Sequence, residues 1–356
     1  MLKVATLNMN TGHGPRGHFR EAIDKRALEE NLARIADALA AESPDVVCLQ
    51  EVDFDWRGTH GIDQAKWIAW RARYPFVHGC AHHKSPLPHA VRRVLRNDVL
   101  FTRDCGTAIL SRRPLLETRQ YTFGQTLTPS SRMNYFARLL NESKGYTFAR
   151  VDLDGTNVGI LNVHLLNDIV FEILRVVGKQ VRGEIFARAW QVEKLLEHVR
   201  EHVERGTPVI VAGDFNSVPR EDVLDHLHSR NGDPDDYRRD VSMVLVREAK
   251  LLATIPELFG QGTEATIEPY HTYPAVDPDR TLDYVFATGA LSFVSYRVLG
   301  TPVSDHLGVV AELALRDVAT ARPREVTQRS EIDQTGRAEC RDAPAEVRDR
   351  QQRRAP

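Results

Sequence analysis

The chain has 356 residues, 42% of them hydrophobic and 27% charged, with a formal net charge of −2. That apolar content can fill one large α/β core and excludes a low-hydrophobicity disordered chain. The near balance of 47 Lys+Arg against 49 Asp+Glu excludes a global basic field for nucleic acid, though not a local basic groove.

In chain order, an apolar strand over residues 2–7 runs into Asn8, and Gly12, Gly14, Pro15 and Gly17 lead to a helix at about 20–41. Ile23, Leu28, Leu32, Ile35 and Leu39 set its apolar stripe, and Ser43-Pro44 stops it. The strand from Asp45 ends at Glu51, followed by a polar loop and a helix near 62–73. Residues 78–105, with Pro86, Pro88 and mixed His and Arg, predict an inserted surface loop. Strands follow over 106–111, 146–153 and 158–163, the last two joined by the turn Asp154-Gly155 and the third ending at His164. Residues 165–177 carry apolar side chains at helical spacing, with Asp168 as cap and Gly178 as stop, and predict a short amphipathic helix. A long helix over about 184–204 then leads to Pro208–Ala212, which runs into Gly213-Asp214-Phe215-Asn216. Near the end, Pro302-Val303-Ser304 delivers Asp305-His306 before the apolar 307–315. Residues 318–356 alternate in charge with almost no large apolar side chain, predicting a disordered tail behind one domain over 1–317.

Strands interleaved with helices but also joined as hairpins suggest mixed sheets. Cys48, Cys80, Cys105 and Cys340 form no Cys-x-x-Cys pair, the usage of reduced thiols. The first strand starts at Leu2, leaving no room for a signal peptide, and no apolar run nears ~18 residues. A soluble cytoplasmic protein is the expectation, with no integral membrane association.

The chemistry lies at the strand ends. Asn8, Glu51, His164, Asp214 with Asn216, and Asp305-His306 each close an apolar run, where loops carry function on a rigid sheet. Together with Gly106–Arg112 and Leu282-Asp283-Tyr284, in this order from about residue 2 to 315, they resemble the endonuclease/exonuclease/phosphatase superfamily of metal-dependent phosphoesterases. The resemblance implies an α/β fold of two packed mixed β-sheets flanked by helices, a four-layer sandwich with the active site at one end.

Phosphate-ester hydrolysis needs charge neutralisation, an oriented water and help for the departing alkoxide. Read against that need and the resemblance, Glu51 is the principal ligand for Mg²⁺ or Mn²⁺. Asn8 supplies either a neutral oxygen ligand or a hydrogen bond holding Glu51, and Asp305 completes the set directly or through water. Asp214 and Asn216 handle the water and a phosphoryl oxygen. His306 does acid–base work with Asp283 on its other ring nitrogen, and His164 donates to a phosphoryl oxygen. Arg57, just past Glu51 as in bacterial members, is a candidate for the substrate phosphate, and Gln64 shares that resemblance. Arg188 and Gln191 match the family's Arg-x-x-Gln pair and are expected to be scaffold.

The substrate is a phosphodiester or phosphomonoester cleaved by direct attack of water. A DNA or RNA nuclease is one alternative, favoured if Arg92, Arg93, Arg96, Arg103, Arg112 and Arg113 line a groove to Glu51. A sphingomyelinase-like phospholipid phosphodiesterase, with 165–177 as an apolar lid, is another, and a binding protein that has lost catalysis is a third. His164 and Ser304-Asp305-His306-Leu307-Gly308 depart from the repair-endonuclease branch, and Leu282-Asp283-Tyr284 departs from the inositol-phosphatase signature. His198 and His202 have the i,i+4 spacing of zinc ligands and are expected to be an exposed helix face.

Overall fold

A computed structural model describes residues 1–17, 23–54, 56–83, 105–123, 144–166, 185–220, 240–259 and 264–316. The expected tail, the amphipathic stretch beyond Leu166 and most of the inserted loop lie outside these residues.

Two mixed sheets form the frame. The first contains β1 (Leu2–Asn8), β2 (Val46–Asp53), β3 (Phe76–His83) and β4 (Cys105–Ser111). The second contains β5 (Glu117–Thr122), β6 (Gly145–Leu153), β7 (Thr156–His164), β8 (Val209–Asp214) and β9 (Asp283–Ala287). The strands β10 (Leu291–Val298) and β11 (Val309–Leu315) return to the first sheet. The orders are β10-β11-β1-β2-β4-β3 and β5-β6-β7-β8-β9. Among the described strand pairs, only β1–β2 and β7–β8 are parallel. Residues 78–83, expected in a loop, extend β3 instead, because hydrogen bonding to β4 outweighs their polar composition.

Helices α1 (Lys25–Glu42) and α2 (Gln64–Ala72) cover the first sheet, while α3 (Ile185–Glu204) and α4 (Ser242–Ala249) lie over the second. Asp24 accepts from the backbone N–H groups of Arg26 and Ala27, which fixes the start of α1 later than its apolar stripe suggests. Such a cap is worth about 1 kcal/mol. Leu28, Leu32, Ile35 and Leu39 then face Leu7, Val47 and Leu49, and Ser43 ends the helix in the left-handed region ahead of Pro44.

The layers follow from strand alternation. Val4, Val46, Ile160 and Ile210 point between the sheets, while Leu161, Val163 and Val211 point at α3. The result is helix, sheet, sheet, helix. Asp154 and Gly155 both have positive φ, the geometry of a two-residue hairpin between β6 and β7.

Candidate active site

The two parallel pairs bring most of the candidate residues to one rim. Asn8 pairs with Gln50, the neighbour of Glu51, at the carboxyl ends of β1 and β2. His164 pairs with Asp214 at the ends of β7 and β8, and Asp214 pairs across with Asp283 at the start of antiparallel β9. Thr6 pairs with Val309, so the loop before β11 brings Asp305 and His306 to the same rim. A side chain on Gly213 would put its Cβ 2.0 Å from the Val163 carbonyl oxygen, so β7 and β8 can approach this closely only with glycine there.

Glu51 is not at a strand end. It sits inside β2, where pairing with β4 shifts register between Leu49 and Val52, with φ +53°. A bulge re-aims a side chain at local conformational cost, a device common beside active sites. Asn216, at φ +49°, shares this left-handed conformation.

Asp214 is the hub. Its Oδ1 accepts from the Asn216 backbone N–H at 2.8 Å. Its Oδ2 accepts from Asn8 Nδ2 at 3.0 Å and Asn216 Nδ2 at 3.3 Å. The same oxygen lies 3.6 Å from His164 Nε2 and 4.0 Å from His306 Nε2. Glu51 Oε1 accepts from Asn8 Nδ2 at 3.3 Å and lies 3.9 Å from His164 Nε2.

Asn8 thus makes, in this structure, the hydrogen bond to Glu51 that is one of the two readings open to it. Its Oδ1 accepts the Asn10 backbone N–H at 3.0 Å, which turns the amide nitrogen toward both carboxylates. Asn216 is similarly engaged, giving its second Nδ2 contact to Leu165 O at 3.1 Å. It holds Asp214 in this structure.

His306 Nδ1 is 2.8 Å from Asp283 Oδ2. Burial opposes charge on the ring, yet Asp283, Asp214 and Asp305 hold its pKa well above the ordinary value. Burial raises Asp214, partly offset by His306. Burial pushes Asp305 up to about 7, with His306 opposing the shift and Glu51 and Asp214 adding to it.

A divalent cation fits this chemistry. Burial sets most of the upward shift of Asp305, and the nearby Glu51 and Asp214 carboxylates add to it; hard cations take such oxygen donors. Asp214, Asp283 and His306 also present ligand atoms within 4.8 Å of one another. In that trio, however, His306 Nδ1 and Asp283 Oδ2 are already engaged with each other.

The Endonuclease/Exonuclease/phosphatase family profile matches residues 5–306. The chain belongs to that family. It is 26% identical over 327 residues to the uncharacterized protein YbhP of Escherichia coli strain K12, covering 88% of this chain and 96% of that protein. A family structure from Beutenbergia cavernae is 23% identical, with TM-score 0.59 over 88% of this chain and 71% of the other. A Bacteroides thetaiotaomicron mannosyl-6-phosphatase gives TM-score 0.53 at 14% identity, over 88% of this chain and 100% of the other. At such identities the structures show shared fold.

Two features of this member were not read from sequence. Lys144, just before β6 and buried, places Nζ 3.1 Å from His164 Nε2. Tyr273 packs its ring on His306 at 4.7 Å between centroids and joins Val218 and Leu282 in a small apolar cluster. Neither has a local motif. Only the pairing of Gly145 with His164, and the loop leading to β9, bring them here.

The scaffold residues clamp the loop behind His164. Gln191 Oε1 accepts the Leu166 N–H at 2.9 Å, and Arg188 Nε donates to Leu166 O at 2.8 Å. Gln64 joins Thr11 O to the Asp53 N–H. Arg57 opens a 3-10 turn at Arg57–Thr59, and its side chain lies outside the described residues. Arg112 donates to Pro44 O and Arg113 pairs with Asp45. Both follow the end of β4, which pairs with the start of β2, so they occupy the rim opposite Glu51 and line no groove to it. Arg92, Arg93, Arg96 and Arg103 lie outside the described residues. No helix among the described residues is long and apolar enough to cross a membrane.

Proposed function

We propose that this chain is a metal-dependent phosphoesterase that hydrolyses a phosphodiester or phosphomonoester by direct attack of water. The observation that carries the reading is Asp214, a buried carboxylate facing two imidazoles while Asn8 and Asn216 fix its orientation. Family membership supports it, since members are generally phosphoester hydrolases.

Glu51 and Asp305 would hold Mg²⁺ or Mn²⁺, which supplies charge neutralisation at the non-bridging oxygens. Asp214 orients the attacking water and accepts its proton. His164 and Lys144 donate to a phosphoryl oxygen as charge grows on it. His306 keeps its Nδ1–H on Asp283, leaving Nε2 to hold or release the proton the reaction moves. No covalent enzyme intermediate is required.

Arg112 and Arg113 face away, which removes part of the support for a nucleic-acid groove. The mannosyl-6-phosphatase neighbour supports including small phosphomonoesters in the search. The test is turnover by wild type and Asp214→Asn, with Mg²⁺ or Mn²⁺, on aryl phosphodiesters, aryl and sugar phosphates, nucleic acids and phospholipids. Wild type is expected to turn over one class, with Asp214→Asn slower by ~10²-fold or more. No turnover of any class, or an unaffected Asp214→Asn, overturns the proposal.

A further inference from the structure

His198 and His202, expected on an exposed face of α3, are instead packed against the second sheet. His198 is only 9% exposed, and it lies over Tyr121 and Tyr146 at centroid separations of 4.3 and 5.6 Å. His202 stacks on Phe148 at 4.7 Å, 20° from parallel. A helix places residues four apart on one face, and here the two Nε2 atoms meet at 3.1 Å. Neither ring belongs to the active site. Tyr146 and Phe148 point to the helix side of β6, whereas Asn162 and His164 lie on the other face of β7 by alternation.

We propose that His198 and His202 together form a second metal site, for one borderline transition-metal ion such as Zn²⁺. Zn–N bonds are ~2.0–2.1 Å, so two of them ending on atoms 3.1 Å apart subtend roughly 100°. That angle suits two adjacent ligands of one ion. The aromatic contacts fix both rings before any ion arrives, which lowers the ordering cost of binding. Burial holds His198 down to about 4 and His202 below its ordinary value, so both rings are neutral at neutral pH, as metal ligation requires. His202 is the more open ring and gives an ion its entry. The fields of Glu117 and Glu201 act on it against those of Arg119 and Arg205, and water completes the coordination. Nitrogen donors without a hard-oxygen cage select against Mg²⁺, which separates this site chemically from Glu51 and Asp305.

The experiment is thermal unfolding of the untagged full chain in saturating Mg²⁺, with and without added Zn²⁺, alongside calorimetric Zn²⁺ titration. Wild type should gain about 2–4 °C in Tm at Zn²⁺ concentrations well above Kd. His202→Gln and His198→Gln should lose that gain, while Glu51→Gln keeps it. Mg²⁺-dependent turnover of His202→Gln should match wild type. If His198→Gln does not fold, His202→Gln decides, because its ring is the less buried. No gain in wild type, or a gain retained in His202→Gln, overturns the proposal and leaves the contact as a ring-to-ring hydrogen bond.

Discussion

The imidazole of His306 holds the Asp283 carboxylate at 2.8 Å in a place where both side chains are buried. The pair has one geometric consequence. With Nδ1 committed to Asp283, Nε2 is the ring nitrogen left facing Asp214, so its orientation is set by the partner.

Asp283→Asn should therefore act through His306. The amide keeps the volume but loses the charge that favours the imidazolium. Turnover is expected to fall by ~10²–10⁴-fold in His306→Ala. The loss in the Asp283→Asn, His306→Ala double variant should be far from additive. Steady-state rates on the four-member cycle check this. Additive losses would separate the two residues.

Lys144→Met should lower kcat/KM with the fold intact, because a charged donor beside His164 is removed from the developing phosphoryl charge. A hydrogen bond to a charged group is worth about 1.5–3 kcal/mol, or roughly 10–100-fold. Lys144→Arg should recover part of the loss. Equal rates in wild type and Lys144→Met would take Lys144 out of the site.

Much of this site was readable because its residues follow apolar runs that mark the strands. Glu51, Asp214 and His164 follow apolar runs, and the two parallel registers convert those runs into neighbours. The fold was legible for the same reason in β1, β7 and β8. β5 was missed because it is a mostly exposed edge strand, Glu117-Thr118-Arg119-Gln120-Tyr121-Thr122, with no apolar alternation. Residues 78–83 were misread because His and Cys there answer to a partner strand 20 or more residues away. The Glu51 bulge and the burial of His198 arise from tertiary pairing and leave no local trace.

Asn162 ties the two halves of the site together. It donates to Leu49 O at 2.9 Å and Ala108 O at 2.8 Å, and accepts from Gln50 Nε2 at 2.7 Å. One fully buried side chain thus links the strand bearing His164 to the bulge bearing Glu51. Asn162→Leu should destabilise the protein by about 2–4 kcal/mol, since each buried group left unsatisfied costs ~1–3 kcal/mol. Turnover by the folded fraction should fall as well. Urea unfolding and rates measured on folded protein separate the two effects.

The contribution of His82 to stability should be lost in mild acid. His82 is buried beside Thr107 at 2.8 Å, and burial, helped by Lys144, pushes its pKa down to about 3 from 6.5. The unfolded chain takes up a proton below about 6.5 that the folded protein refuses until about 3. This contribution to stability is intact above 6.5 and erodes as pH falls toward 3, reaching about 2 kcal/mol by pH ~5. The urea midpoint of His82→Gln should rise relative to wild type as pH falls from 7.5 to 5. An unchanged pH dependence would contradict the burial argument.

Hydrolysis in ¹⁸O-labelled water, with chelator and with Mg²⁺ or Mn²⁺ restored, tests the central claim most directly. Turnover is predicted to stop in chelator, to return with either ion and to be lost in Glu51→Gln, with one ¹⁸O in the released phosphate product from a single turnover. Turnover that survives chelation, or a single-turnover phosphate product carrying no solvent oxygen, would contradict a metal-dependent direct attack by water.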